Sequence, residues 1–396
     1  MDKQKSKRKK PGSSQRMVKR IWFVTIVILI VAIVCYVLSK TGLLDFHSVD
    51  EQLAAIEAAR AIPDAENAAI IYNQLMENYD ESEFPPDSLS IEVRRQPWLS
   101  KDYPEGAEWL KGMQETMSTL LEASKKEKCS FPLTGPKQIE VQMDRISAMR
   151  RWTRLLISAA NNDIAEGRID AGIQKYRSVI KMANHLCQQP VLLDYLVGGA
   201  CEDLVLSCMK TFIVEGDVAE EHLKNVEATI PQTQDNWAEV SSKIIEFESL
   251  YERKNVGLLD RLKFAWQGMR VEDSIERMQD GYLRRQLWRR RGNRILIVLR
   301  RYRNKNGRWP QTLDDIKSLV PEEILVDPIN GGSFVYKLTE ENFTLYSKGQ
   351  NNINEGGELS SDSGADDWTI WPPASRKTKN EKADTQQLNT QKEVVK

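Results

Sequence analysis

Histidine is nearly missing from this sequence: 396 residues hold three, His47, His185 and His222, with no shared spacing. Zinc centres and Ser-His-Asp triads draw on that residue, so both chemistries have little material here. H-E-x-x-H, G-x-S-x-G, G-x-G-x-x-G, Walker A and C-x-x-C are all absent. The 57 acidic residues leave material for a glycosidase-like pair of carboxylates, whose separation is invisible in sequence. Cysteine is sparse as well. Besides Cys35 there are Cys129, Cys187, Cys201 and Cys208, an even number that admits disulfides in an oxidising compartment or four buried thiols. Cys201 and Cys208 fall seven residues apart on one predicted helix, a rise of about 10.5 Å, and cannot bond to each other without breaking it. The net charge of -1 selects no class of partner.

One long stretch has no charge at all. Residues 21–38 read IWFVTIVILIVAIVCYVL, enough apolar residues to cross a bilayer as a helix. Lys3, Lys5, Lys7, Arg8, Lys9, Lys10, Arg16, Lys19 and Arg20 precede it and only Lys40 follows closely, which predicts a cytoplasmic N-terminus and an extracytoplasmic body. The run exceeds a secretory h-region and is followed by Ser-Lys-Thr-Gly, with no Ala-x-Ala, so a retained anchor is favoured over a cleaved signal. The basic arm serves topology and can also grip anionic headgroups. The expected location is the inner membrane, single-pass.

Helical spacing fills the next part. Leu53, Ile56, Ala59 and Ile62, then Ala68, Ile71, Tyr72, Leu75 and Met76 on either side of Pro63-Asp64, predict a helical hairpin. A proline-bearing loop covers 81–102, and a helix is expected from Pro104 to about Lys126. A longer one carries Ile139, Met143, Ile146, Met149, Trp152, Leu156 and Ala159 as its core face. Ala165, Gly167, Ala171 and Tyr176 then stand where tetratricopeptide helices put small residues and an aromatic. This resembles a single repeat, without further copies at a 34-residue period. His185 on this helix reads as a packing residue. The stretch after Pro190 is apolar on most of its circumference and is expected at the centre of its domain, with Gly198, Gly199 and Ala200 allowing close approach of a neighbour. Asp194, Glu202, Asp203 and Lys210 rule it out as a membrane span. Helices are expected to continue to about residue 280.

The strongest charge feature is 281–308, with ten arginines, Lys305 and no acid. Arg284, Arg285, Arg289, Arg290, Arg291 and Arg294 are the candidate anion contacts. Outside the cytoplasm this excludes nucleic acid and points to glycans, lipid headgroups or the protein's own acids. The alternative is a helix buried along Leu283, Leu287, Ile295, Leu299 and Tyr302, its arginines paired with acids elsewhere, such as Glu340, Glu341, Glu355, Glu358, Asp362, Asp366 and Asp367.

The end of the chain has punctuation of its own. Asn306-Gly307 and Trp309-Pro310 stop the helix, Thr312 can cap a short one at 313–319, and Asp327-Pro328 with Asn330-Gly331-Gly332 makes a turn into a hairpin of FVYKL and FTLYS. Trp368 to Trp371 would add a third strand. Together with Leu319-Val320-Pro321, Ser347-Lys348-Gly349, Gly356-Gly357 and Asp366-Asp367-Trp368, this ordered set, over about 282–371, resembles the globular part of the type II secretion major pseudopilin. The resemblance implies a calcium loop at 349–367 with Asp366 and Asp367 as ligands and Asn351 where the family has an aspartate. Calcium takes such hard oxygen ligands. The family's leader, its Gly-Phe cleavage point and its intramembrane glutamate are lacking, so the chain is not a processed filament subunit. The whole layout resembles a group of bacterial single-pass envelope proteins, a likeness that brings no activity with it.

The expected fold class is mainly α: a basic cytoplasmic arm (1–20), an N-terminal transmembrane helix (21–38), a helical-hairpin, repeat-like bundle (48–280), a small C-terminal α+β module with a short antiparallel sheet (281–372) and a disordered tail (373–396) too poor in apolar residues to fold. Two functions are expected in turn: a non-enzymatic envelope scaffold or interaction module linked to a secretion or surface-assembly system, with envelope proteins as partners and no cofactor beyond calcium, or an enzyme acting on cell-wall polymer or glycan through two carboxylates.

Overall fold

A computed structural model describes residue 29 and residues 48–372, apart from 79–83, 136–137, 233–236, 258–259, 262, 264–274, 276–278, 341 and 361–363. The arm at 1–20, the apolar run except Leu29, most of the helix expected over 258–280, Asp362 and the tail at 373–396 lie outside the described residues.

The described chain is mainly helical, with a small three-stranded antiparallel sheet. The fold class expected from sequence is corrected in its first element: among the described residues no helix is long and apolar enough to cross a membrane. The reason is charge. The most apolar long helix, Leu192–Glu215, carries Asp194, Glu202, Asp203 and Lys210 within its span.

Ser48 starts helix α1 (Val49–Ala59) with a reciprocal capping box: Ser48 Oγ accepts from the Glu51 N–H at 3.1 Å and Glu51 Oε2 accepts from the Ser48 N–H at 3.0 Å. Asn67 caps α2 (Ala68–Glu77) through Oδ1. These two are not the expected hairpin. α1 lies on α10 (Trp237–Asn255), where Leu53, Leu133, Val191, Phe247 and Leu250 make a small cluster of their own, while α2 joins the main core against α5 (Gln114–Ser124) and α6 (Gln138–Ala165). α3 (Ile91–Arg94) and α4 (Pro104–Gly112) precede α5. The single helix expected from Pro104 breaks at Met113, whose backbone leaves the helical region (φ -89°, ψ 9°).

The centre is α6, α7 (Ile169–Cys187) and α8 (Leu192–Glu215), with α9 (Glu220–Thr229) alongside α7. On α6 the core stripe begins at Ile146. Ile139 and Met143, expected to be buried, are exposed, because α6 runs on past the helices that cover its later turns. Gly198 faces α7, where a Cβ would stand 2.6 Å from the Ala183 carbonyl and 2.7 Å from Cys187 Sγ; Gly199 faces Tyr282 and Gln286. Both helices approach too closely for any side chain. Cys129, Cys187, Cys201 and Cys208 are free, and burial pushes the Cys208 thiol up to about 12, which keeps it protonated and inert.

His185 ties three elements together. Its Nε2 lies 2.9 Å from the Lys126 carbonyl, which only accepts, so Nε2 carries the proton and Nδ1 accepts from the Tyr72 hydroxyl at 2.9 Å. Burial holds the imidazole neutral, with its pKa pushed down to about 4. A depressed pKa stabilises the fold above the unfolded value of 6.5, and that contribution is lost as pH falls toward 4. Between pH 7 and pH 5 the stability advantage of the wild type over His185→Gln should shrink by about 2 kcal/mol in urea denaturation. Differencing against the variant cancels Asp203, which acts in the opposite sense because burial pushes its pKa up to about 6.

After a π-helical turn at Gln279–Leu283, helix α11 (Arg284–Asn306) lies against α8 and ends at Gly307, whose left-handed φ of 72° closes the cap. A 3₁₀ helix at Leu313–Leu319, with Thr312 and Asp315 as its capping box, and α12 (Glu322–Leu325) lead to the sheet. β1 (Val335–Leu338) and β2 (Phe343–Ser347) pair in the register Val335 to Tyr346 and Leu338 to Phe343. Two short strands, β3 (Leu359–Ser360) and β4 (Ala365–Asp366), pair within the following loop, and β5 (Trp368–Trp371) adds to the free edge of β2, giving the order β1-β2-β5. The sheet rests on α11 where Gly292 makes room: a Cβ there would stand 3.0 Å from two carbons of Ile370. One apolar cluster runs from Tyr72 and Trp152 through Val205 and Ile295 to Phe343 and Trp371, so packing is continuous across the expected boundary at 280 and 281.

Candidate metal centre

The loop that leaves β2 at Ser347 and returns at Asp367 is closed by three carboxylates. Gly349 begins it with a left-handed φ of 63°; a Cβ there would collide with Asp366. Asn330 Nδ2 holds the Gly349 carbonyl at 3.0 Å. Asp366 Oδ2 accepts from the Gln350 and Asn351 N–H groups at 2.8 and 3.2 Å, and Asp367 Oδ2 from those of Glu355 and Gly357 at 2.9 and 2.7 Å. Glu355 answers by accepting from the Asp366 N–H at 2.8 Å. One oxygen of each of Glu355, Asp366 and Asp367 lies within 4.8 Å of the others.

The second oxygens decide what this cluster suits. Asp366 Oδ1 and Asp367 Oδ1 are buried and have no hydrogen-bond partner, and among the described residues no lysine or arginine pairs with any of the three acids. Burying an anionic oxygen without a donor or a cation is costly. A divalent cation meets that need. Three carboxylates provide part of the six to eight oxygens calcium takes, and an irregular set of ligands suits that ion better than the strict octahedron of magnesium. Glu355, Asp366 and Asp367 would hold it, and its chemistry would be structural: neutralising three charges and tying the 349–357 arm to the 366–367 strand end.

Of the ligands expected from sequence, Asp366 and Asp367 are together. Asn351 stands behind them, its Nδ2 donating to Glu355 Oε1 at 2.9 Å and its Oδ1 accepting from the Ile353 N–H at 2.7 Å. It positions Glu355 rather than offering a free oxygen. Glu355, expected only among the acids that could pair with arginines, stands eleven residues before Asp366, and the folding back of the loop brings the two together.

The candidate anion contacts are committed to the chain's own groups. Arg290 makes a two-pronged pair with Glu202 at 2.6 and 2.8 Å, and Arg289 pairs with Asp203 at 2.6 Å. Arg285 lies 4.5 Å over the Trp368 ring, Arg291 donates to the Val326 carbonyl at 2.7 Å, Arg294 to the Pro231 carbonyl at 3.1 Å, and Arg284 is also engaged. The paired acids come from α8, upstream, instead of from the acidic residues downstream. The reason is the parallel run of α8 and α11, which sets Glu202 and Asp203 opposite the first turns of the arginine helix.

Comparison with protein-family models, with curated proteins and with solved structures finds no match to this chain.

Proposed function

We propose that this protein is a non-enzymatic scaffold of the bacterial envelope whose C-terminal module takes its working shape from bound calcium. The observation that carries the reading is the pair of buried, unpartnered oxygens Asp366 Oδ1 and Asp367 Oδ1 in a three-carboxylate loop. The same loop carries Ile353 and Leu359, which are 60% and 69% exposed, so an ion that sets the loop also sets where two apolar side chains are offered to a partner. Resemblance to the major pseudopilin supports a role in assembly, and the apolar run at 21–38 behind a basic arm supports placement at the inner membrane with the body outside the cytoplasm. Calcium modules outside the cytoplasm work at roughly 10⁻⁴ to 10⁻³ M, a range that a partly protein-liganded loop reaches.

Two surface depressions, of about 340 and 220 Å³, are lined by Glu140 and by Asp314 as their respective acids. Neither brings two carboxylates face to face, and the glycosidase reading gains no support from them.

The test uses the full chain in mild detergent. Thermal unfolding in calcium against EGTA should show calcium stabilising the protein, by about 2.7 kcal/mol at a hundredfold excess over the dissociation constant. Envelope proteins that co-purify in calcium should be released by EGTA. An identical melting curve in both buffers rejects the calcium loop, and purification without any companion in calcium rejects the scaffold.

A further inference from the structure

The arginines of α11 are used up internally; among the described residues Arg95, Arg150 and Arg154 are not, and Arg94 keeps one bond within its own turn. Arg94 ends α3, Arg95 caps it, and Arg150 and Arg154 stand one turn apart on α6, against which α3 packs. Asn161 of α6 fixes that crossing by donating through Nδ2 to the Arg94 carbonyl at 2.7 Å, and Arg94 Nε is aimed by a bond to the Ser90 carbonyl at 3.4 Å. The side chains of Arg95, Arg150 and Arg154 are exposed and enter no ion pair or hydrogen bond with the described residues. On α6 the neighbours three and four positions from Arg150 and Arg154 are Ile146, Ser147, Arg151, Thr153, Ile157 and Ser158, with no acid among them.

Arg94 and Arg154 both feel their cationic neighbours. Arg94 is pulled below the usual guanidinium range by burial and then by Arg154 and Arg95, with Glu92 the one acid that opposes; Arg154 is pulled down by burial and then by Arg150 and Arg95. α3 and α8 both pack on α6; on α8, Cys201 feels Arg150 and Arg154 after burial and a bond with Thr153, and Cys208 feels Arg95 after burial. Like charges one helical turn apart destabilise a helix. Four cations carried on two packed helices leave a concentrated positive field for an anion to neutralise.

We infer that Arg94, Arg95, Arg150 and Arg154 form a binding site for a phosphate-type oxyanion, either free or carried as a phosphomonoester lipid headgroup. The planar fork of a guanidinium matches two oxygens of a tetrahedral anion, which gives shape selectivity over chloride.

Isothermal titration of the full chain in detergent, at constant ionic strength set with sodium chloride, tests the site with inorganic phosphate in one arm and soluble dihexanoylphosphatidic acid in the other. Saturable binding is expected, weakened about tenfold for each of Arg150→Gln and Arg154→Gln. Arg253→Gln, on α10, should leave it unchanged. Because Arg150 and Arg154 have no partners to lose among the described residues, both variants should melt at or above the wild-type temperature without ligand, which separates lost binding from lost folding. Binding of phosphate assigns the free anion, and binding of the lipid alone assigns a headgroup. Binding of neither, or equal binding by the variants, overturns the inference.

Discussion

Arg145→Met should destabilise the helical body by about 3–5 kcal/mol, the cost of leaving one member of a buried ion pair alone. Arg145 Nη2 stands 2.6 Å from Asp194 Oδ2, joining α6 to α8, and the two side chains are 2% and 0% exposed. The guanidinium also lies 4.6 Å over the Phe131 ring, so the loop before α6 is held by the same group. Burial already pushes the Asp194 pKa up, with Arg145 the main opposing influence; without that arginine the carboxyl must take a proton or remain an uncompensated charge. Arg145→Met with Asp194→Leu should recover most of the loss, since apolar residues of similar volume replace a buried pair at little cost. Urea denaturation of wild type, both single variants and the double variant closes the cycle. A single-variant loss below about 1 kcal/mol would show that the pair is solvated in solution.

Asp367→Asn separates the loop's backbone from its ion. The amide oxygen still accepts from the Glu355 and Gly357 N–H groups, while the new NH₂ replaces an oxygen that has no donor. In EGTA the variant should therefore be as stable as wild type within about 0.5 kcal/mol, with one negative charge fewer in the cluster. In calcium it should fall behind by most of the stabilisation the ion gives, about 2.7 kcal/mol at a hundredfold excess. Terbium luminescence excited through tryptophan, with Trp368 next in sequence, reads the same loss directly. An unchanged terbium signal in the variant would move the ion elsewhere.

What sequence conveys here follows the range of each interaction. Turn and cap chemistry is local, so Gly307, the Thr312 and Asp315 box and the β1 to β2 hairpin all lie where the residues suggest. Asp366 and Asp367 were singled out through the resemblance to the pseudopilin loop, and the structure sets them side by side in one carboxylate cluster. Glu355 was not singled out, because only the folding back of the loop brings it to them. Apolar periodicity shows that a helix has a core face but not how far its neighbours extend, and so Ile139 and Met143 read as buried while standing in solvent. Charges were the least legible. The arginine run at 281–308 drew attention by density, yet its partners on α8 and α9 were set by helix packing, among them Glu220 and Glu227 with Arg301. The group at Arg94, Arg95, Arg150 and Arg154 had a quieter signal, the lack of acids at helical spacing around the last two.

α11 works as a strut. One flank is bolted to the helical body by Arg289 and Arg290, and the other carries Ile370 in the notch at Gly292 and Trp368 against Trp288. Tension applied where Asp367 joins β5 is handed along Trp368 and Ile370 into that rod and then to Glu202 and Asp203, so a load taken at the loop arrives at α8, in the middle of the helical body, through side chains that are already in contact.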